Sequence, residues 1–217
     1  MDLQRWAISK EKIPIAINTT FLYIAIGSLI SLLPAFYPSE AESKGATASQ
    51  YGLVFGVDPL TLFIFGPIFG KYGSSIGFRV CFVSGALLQG ISVLLFAFLL
   101  YCETAESFIG LSYVLRVVQG VGTSMGWSSG LATLEVIFPN KQAGIMSWTQ
   151  TCFGLGYMLG PALGAYLYRQ GGFSLPFLFI GSIDIVISLL LLLSIPNNSS
   201  IDSAYSDNDD EKKLFKT

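Results

Sequence analysis

Residues 173–195 read FSLPFLFIGSIDIVISLLLLLSI, a run of 23 residues in which Asp184 is the only charged side chain. A helix needs about 20 predominantly apolar residues to cross the hydrocarbon core of a bilayer. The run therefore predicts a membrane-spanning helix. Its continuous apolar character also argues against a transmembrane barrel, whose strands alternate between apolar and polar residues.

Five more segments share this length and character, and the loops between them are short. They cover residues 13–37, 51–69, 78–101, 108–138 and 145–168. The sequence thus predicts an all-α membrane protein with six transmembrane helices in one domain, residues 13–195. We expect residues 1–12 to be a cytosolic N-terminal segment and residues 196–217 to be a disordered, acidic cytosolic tail.

The composition excludes several classes of function. Hydrophobic residues make up 52% of the chain and charged residues only 12%, about half the usual share for a globular domain. No basic block points to nucleic acid, and the absence of histidine removes imidazole catalysis and histidine metal ligation. The three cysteines are widely spaced, which favours packing over a metal or disulfide site. We expect no enzyme activity, no cofactor and no metal.

The basic residues of the short loops predict the orientation in the membrane. One side carries six of them, namely Arg5, Lys10, Lys12, Lys71, Arg79 and Lys141. The other side carries two, Lys44 and Arg169. Because lysine and arginine are retained on the cytosolic side, both termini are predicted to be cytosolic. The sequence leaves open whether the membrane is that of a vesicle or the plasma membrane.

A glycine-rich loop joins the second and third predicted spans. It contains Gly70, Gly73 and Gly77 and ends at Arg79. Glycines permit a tight turn and a close approach of the two helix ends. The pattern is compatible with a gating loop and equally with an ordinary cytosolic hairpin.

The fourth span carries an arginine within its apolar run. Gln119 and Gly120 follow Arg116 by three and four residues, which places them on the same helix face. An intramembrane charge must face protein or water. We interpret Arg116 and Gln119 as part of a substrate or proton pathway, with a structural ion pair as the alternative. Asp58 lies at a similar depth in span two and is the expected partner, and Asn18 in span one is assigned to the same pathway.

The fifth span carries a stripe of small residues. Gly156, Gly160 and Gly164 recur every four residues, with Pro161 among them. Such stripes let helix backbones approach closely in lipid, and the proline is expected to bend the helix. We interpret the stripe as a contact surface for a moving partner, with static packing as the alternative.

These three patterns, in this order, resemble the signature motifs of the N-terminal half of the major facilitator superfamily. The resemblance implies one half of a twelve-helix transporter, built from two inverted three-helix repeats. It also implies that Glu135, at the end of span four, contacts Arg79. The chain departs from the family pattern at three positions, which are Ser74, Ser124 and Ala165.

Residues 33–46 resemble, more narrowly, the vesicular amine transporter family and its polyamine branch. The resemblance implies proton-coupled antiport of an organic cation such as a polyamine. Ala25 stands where other members of that family carry an acidic residue in span one, which argues against a monoamine. No role is assigned to Asp184.

Two expectations follow for partners besides lipid, solute and protons. The polar and small faces of spans one, two, four and five should meet a second six-helix half, either a missing C-terminal half or a second copy, through the glycines of span five. The alternative is a truncated, non-transporting protein that binds and regulates a full-length relative.

The charge asymmetry generates a topology prediction. In a cysteine-free background, Ser199→Cys and Glu106→Cys should react with a membrane-impermeant thiol reagent from opposite sides, Ser199→Cys only after permeabilisation. Labelling of both positions in intact cells would contradict the orientation. Labelling of both after permeabilisation is the control for accessibility.

Overall fold

A computed structural model of the chain describes residues 2–138 and 141–195, without the side chains of 2–13, 74, 136 and 137. These residues form six α-helices and one short 3₁₀ segment, Ala97–Tyr101. The helices are α1 Asp2–Ser43, α2 Ala48–Ile76, α3 Phe78–Phe96, α4 Ala105–Ile137, α5 Gln142–Gly171 and α6 Ser174–Ser194. The predicted all-α fold with six helices is confirmed. The expected tail, residues 196–217, lies outside the described residues.

Four of the described helical segments are long and apolar enough to cross a membrane. They are Pro14–Ser43, Ala48–Gly73, Phe78–Tyr101 and Ser174–Ser194. α4 and α5 have 33 and 30 residues, which is ample length for a bilayer. Their sequences are more polar, because α4 carries Glu106, Arg116 and Glu135, and α5 carries Arg169 with Gln142, Gln150 and Gln170.

The first helix begins earlier than the sequence predicted. α1 starts at Asp2, so Pro14 lies inside the helix and not in its first turn. The hydropathy signal marks where the apolar run starts, whereas the helix continues beyond it into polar residues. α1 also contains Pro34 and Pro38.

The connection between α2 and α3 is much shorter than expected. α2 extends to Ile76 and α3 begins at Phe78, so Gly77 alone separates them. Gly77 has a φ of 103°, a conformation that side chains with a Cβ rarely adopt. Its N–H donates to the Gly73 carbonyl oxygen at 2.9 Å. A Cβ on Gly73 would lie 3.1 Å from the Phe78 ring, so these two glycines set the turn.

Helix packing divides the six helices into two linked sets. α4 packs extensively on α2 and α3, α3 also packs on α6, and α1 packs on α5. α3 and α4 approach each other backbone to backbone, since a Cβ on Gly122 would lie 2.8 Å from the Gly85 carbonyl oxygen. Without a strong hydrophobic force between helices in lipid, such close packing is what holds them together.

An aromatic cluster joins α1, α4 and α6 at the end opposite the α2–α3 turn. Tyr37 stacks on Phe108 with ring centroids 5.2 Å apart, and Phe173 lies 5.0 Å from Phe177. The Tyr37 hydroxyl donates to Ser112 Oγ at 2.6 Å. These buried rings fix the ends of three helices relative to one another.

The glycine stripe of α5 packs against α1. A Cβ on Gly156 would lie 2.0 Å from the Ile24 carbonyl oxygen, and one on Gly160 would lie 2.1 Å from Ser31 Oγ. Ser28 Oγ donates to the Gly156 carbonyl oxygen at 3.1 Å. The backbones of the two helices are therefore in direct contact.

This arrangement corrects the role expected for the stripe. The glycines of α5 were predicted to face a second half, yet Gly156, Gly160 and Gly164 are buried against α1. The sequence shows that a helix face is smooth but does not say which helix covers it. Pro161 lies inside the continuous helix α5, and the predicted bend stays a prediction.

The α1–α5 contact generates a stability prediction. Gly156→Ala should lower the free energy of unfolding by about 1–3 kcal/mol, because the added methyl group meets backbone that cannot move aside. Gly154→Ala is the matched control, since nothing lies within 4 Å of its added Cβ and alanine favours the helix. Thermal unfolding of the purified variants in detergent measures both. Equal unfolding temperatures would contradict the contact.

Candidate functional site

The contact between α2 and α4 encloses Asp58, Arg116 and Gln119, three of the four residues that the sequence assigned to a pathway. The close approach depends on Gly120, because a Cβ there would lie 2.7 Å from Thr61 Cβ and 3.1 Å from the Asp58 carbonyl oxygen. Asp58 is 3% exposed, and Gln119 is also 3% exposed. Small side chains on α4 thus let α2 cover its polar face.

Arg116 is held within this contact by its own helix and by α3. Its Nη1 donates to Gln119 Oε1 at 3.1 Å, the partner that the three-residue spacing indicated. Its guanidinium carbon lies 5.4 Å from the centroid of the Phe96 ring, within range of a cation–π interaction. The side chain is 4% exposed, and its Nε has no hydrogen-bond partner.

Asp58 and Arg116 are neighbours but not a close ion pair. They attract each other electrostatically. Among the described residues, the one pair with charged atoms within 4.0 Å is Lys44–Glu40. Asp58 Oδ1 is buried and has no hydrogen-bond partner. Each of the two charges is therefore partly uncompensated, which in a low-dielectric interior makes each sensitive to a change in the other.

Asn18 lies apart from this pair. Its Nδ2 donates to Ser194 Oγ at 2.8 Å, so it joins α1 to the last turn of α6. The structure does not bring it together with Arg116, and its assignment to the same pathway stays a prediction. The sequence showed that α1 and α4 each carry polar residues, but not which of these residues lie close together.

The basic end of the α2–α3 turn binds α6. Arg79 Nη2 donates to the Leu192 carbonyl oxygen at 2.8 Å, in the last turn of α6, where a cation is favoured by the helix dipole. Glu135 lies half-buried in the last turn of α4. Its expected contact with Arg79 stays a prediction. Gly70 has open space where a Cβ would lie.

A second buried polar group was not assigned from the sequence. Gln89 of α3 donates from Nε2 to Asp184 Oδ2 at 3.2 Å. The Thr123 hydroxyl of α4 lies 3.1 Å from Gln89 Oε1 and 3.0 Å from the Gln119 carbonyl oxygen. A signal for it exists in the sequence, because Gln89 and Asp184 are isolated polar residues near the middle of two apolar runs.

A cavity of about 220 Å³ opens between α1, α4 and α5 at the far end of α4 from Arg116. Its lining includes Tyr23, Trp148 and Lys141. Trp148 Nε1 donates to Thr20 Oγ1 at 3.0 Å, whereas the buried Thr19 hydroxyl has no partner. The cavity is aromatic and largely apolar, with a few polar groups, as small-molecule sites commonly are.

Comparison with known families decides the class of protein. The family model of the Major Facilitator Superfamily matches residues 15–216. This chain belongs to the major facilitator superfamily. The all-helical fold agrees with one half of a superfamily member, and the superfamily consists of membrane transporters.

Individual superfamily members are similar over most of the chain. The rat MFS-type transporter SLC18B1 is 31% identical over 96% of this chain, and the human protein of the same name is 30% identical over 89%. The rat chromaffin granule amine transporter is 27% identical over 71% of the chain. The chain spans 44% of the length of rat SLC18B1 and 42% of the human protein.

The separation of Asp58 and Arg116 generates a prediction on their coupling. Asp58→Asn and Arg116→Gln should each destabilise the protein, because each leaves the other charge buried without compensation. The double variant should lose less than the sum, by about 0.5–3 kcal/mol. Thermal unfolding of the four proteins measures the cycle.

Ser129→Ala combined with Arg116→Gln is the control cycle. Ser129 is buried on α4, about 20 Å along the helix from Arg116 at 1.5 Å per residue, so these two effects should add. Additivity in the Asp58 cycle as well would contradict the electrostatic contact.

Proposed function

We propose that this chain is the N-terminal half of a secondary active transporter that exchanges protons for a small organic cation such as a polyamine. The observation that carries the proposal is the buried Arg116 with Asp58 beside it but not in direct contact. Charges in the middle of a membrane span are costly, and a purely structural arrangement favours a close pair. Two opposite charges that are close but not in direct contact can each change partner, which a transport cycle requires of groups that bind a proton or a solute.

An organic cation is supported by the carboxylate of Asp58 and by similarity to an amine transporter. The cavity at the far end of α4 does not favour a cation, because its lining includes Lys141 and, among the described residues, no carboxylate. Its aromatic residues can hold the apolar part of a solute. The carboxylates that bind a cation would then be Asp58 and groups of a second half.

A second half is supported by the surface of α2. Seven large hydrophobic side chains of this helix are at least 42% exposed, namely Leu53, Leu60, Phe63, Ile64, Ile68, Tyr72 and Ile76. Four glycines of α2 have open space at the position of a Cβ, namely Gly52, Gly56, Gly66 and Gly70. This face can accept another helix closely, as small residues do in membranes, whereas Gly156, Gly160 and Gly164 of α5 are already covered by α1.

A regulatory role is the second candidate. The same open face of α2 would let the chain associate with a full-length relative and occupy the position of that relative's own half. Such a chain would bind without transporting. Both candidate functions therefore require that the chain associates with another half, but only the transporter moves solute across the membrane.

Liposome flux tests the proposal. The purified chain is reconstituted alone and together with the part of rat SLC18B1 that it does not match. A pH gradient should drive uptake of radiolabelled spermidine in the second case, with proton release followed by an enclosed pH dye. Arg116→Ala should abolish this uptake and leave membrane insertion intact, since removing an intramembrane charge eases insertion.

The outcomes separate the two candidates. Undiminished uptake by the Arg116→Ala variant would contradict the role of this residue. Absence of flux in both preparations, with inhibition of intact rat SLC18B1 by added chain, would favour the regulatory candidate. Ser129→Ala, a buried change on the same helix, is the control and should retain full uptake.

A further inference from the structure

A continuous line of hydrogen-bonding side chains crosses the middle of the helix bundle. It runs from Asp184 on α6 to Gln89 on α3 and then to Thr123 on α4, with separations of 3.2 and 3.1 Å. Thr123 also reaches the carbonyl oxygen of Gln119 at 3.0 Å, and the Gln119 side chain accepts from Arg116. The line thus connects α6 to the site at α2 and α4.

Asp184 is fully enclosed by protein. Its side chain is 0% exposed, and Gly90 of α3 gives it room, since a Cβ there would lie 3.4 Å from Asp184 Cβ. Its Oδ2 accepts from Gln89, while Oδ1 has no hydrogen-bond partner.

No charged group in the described part of the chain acts on Asp184. α6 packs on α3, α1, α5 and the 3₁₀ segment, and of these α3 faces Asp184 with the uncharged Gln89. Arg79 of α3 binds Leu192, two turns further along α6, and Asn18 of α1 binds Ser194. The electrostatic partners of Arg116 are Asp58 and Tyr37, and Asp184 is not among them.

A carboxylate in such a place is poorly stabilised. Among the described residues, one amide N–H is its single donor. An isolated buried charge in an apolar medium costs many kcal/mol, so such a group takes up a proton. We propose that Asp184 is a proton-binding site of this protein, and that the proton it gains from or loses to the surrounding water sets the direction of the hydrogen bonds through Gln89 and Thr123.

The chemistry of the three side chains allows two complete arrangements. With Asp184 ionised, Gln89 donates to the carboxylate and the Thr123 hydroxyl donates to Gln89 Oε1. With Asp184 protonated, its O–H donates to the Gln89 amide oxygen once the amide has turned over. The Gln89 N–H then donates to Thr123 Oγ1, and the Thr123 hydroxyl donates to the Gln119 carbonyl oxygen.

The change between the two hydrogen-bond arrangements depends on the single proton of the Thr123 hydroxyl. Thr123 has two acceptors at nearly equal distance but only one proton to donate, so it serves one of them at a time. An amide has a donor at one end and an acceptor at the other, so turning over the Gln89 amide reverses its hydrogen bonds to Asp184 and to Thr123 together. The proton on Asp184 therefore decides whether the backbone of Gln119, next to the Arg116 site, receives a hydrogen bond. Coupling to transport rests on the proposed function, whereas proton binding does not.

Infrared spectroscopy of the whole chain in lipid bilayers tests proton binding without any transport. Near neutral pH, exposed carboxyl groups are ionised, since their ordinary pKa values are about 4. A protonated buried acid gives a separate carbonyl stretching band that shifts in heavy water. We expect this band in the unaltered chain and its loss in Asp184→Asn, which keeps the shape and removes the titratable group.

Three further variants test the line of hydrogen bonds. Gln89→Leu should keep the band and move it to higher frequency, because the acid loses its partner. Thr123→Val should also move it, although Thr123 does not contact Asp184. Ser124→Ala is the matched control and should leave it unchanged, because the buried Ser124 hydroxyl donates to Gly120 of its own helix at 2.7 Å.

The results decide between the proposal and a static core residue. Identical spectra for the unaltered chain and Asp184→Asn would overturn proton binding. A band unmoved by both Gln89→Leu and Thr123→Val would overturn the relay. If Asp184→Asn does not fold, the two relay variants still give a decisive answer. In the flux assay, Asp184→Asn should flatten the pH dependence of uptake. If no protein shows flux, the proposed function fails, whereas the infrared spectra still decide whether Asp184 binds a proton.

Discussion

The polar face of α4 determines how the other helices are placed. Arg116, Gln119 and Thr123 lie along it at spacings of three and four residues, in a helix that crosses the bundle. In hydrocarbon there is no water to satisfy these groups, so each needs a partner from protein. α2 covers one side of the face and α3 the other. Glycines make both contacts possible, Gly120 opposite α2 and Gly122 opposite α3.

The contact between α1 and α5 follows a different physical rule. It contains few polar groups, and it is held by backbone approach along the α5 glycines with a hydroxyl bond from Ser28 to α5. Close-packed backbones gain dispersion contacts over a long distance. The bundle thus combines a polar contact, in which hydrogen-bonding partners are chemically specified, with an α1–α5 contact that rests mainly on close backbone packing. α2 keeps a wide apolar face that neither contact uses.

Membership of the major facilitator superfamily relates the buried polar groups of this bundle to membrane transport. A transporter must hold charged groups in the membrane that are stable yet able to change partners. The proposed function assigns this part to Asp58 and Arg116, which attract each other without forming a close ion pair. Gln119 and the Phe96 ring hold Arg116 in place. The line from Thr123 to Asp184 extends the same polar interior to α6. In the proposed relay, the protonation of Asp184 acts on the Arg116 site through these hydrogen bonds.

The sequence by itself determined the number of helices, their membrane character and the family, because apolar runs and glycine and arginine spacing are local properties. It also placed Gln119 beside Arg116, since both lie on one helix face. Only the tertiary structure decided which faces meet. Gly156, Gly160 and Gly164 of α5 face α1, Asn18 binds α6, and Gly77 alone separates α2 from α3. Asp184 acquired a partner only when α3 packed on α6, because residues 95 positions apart in the chain share no local signal.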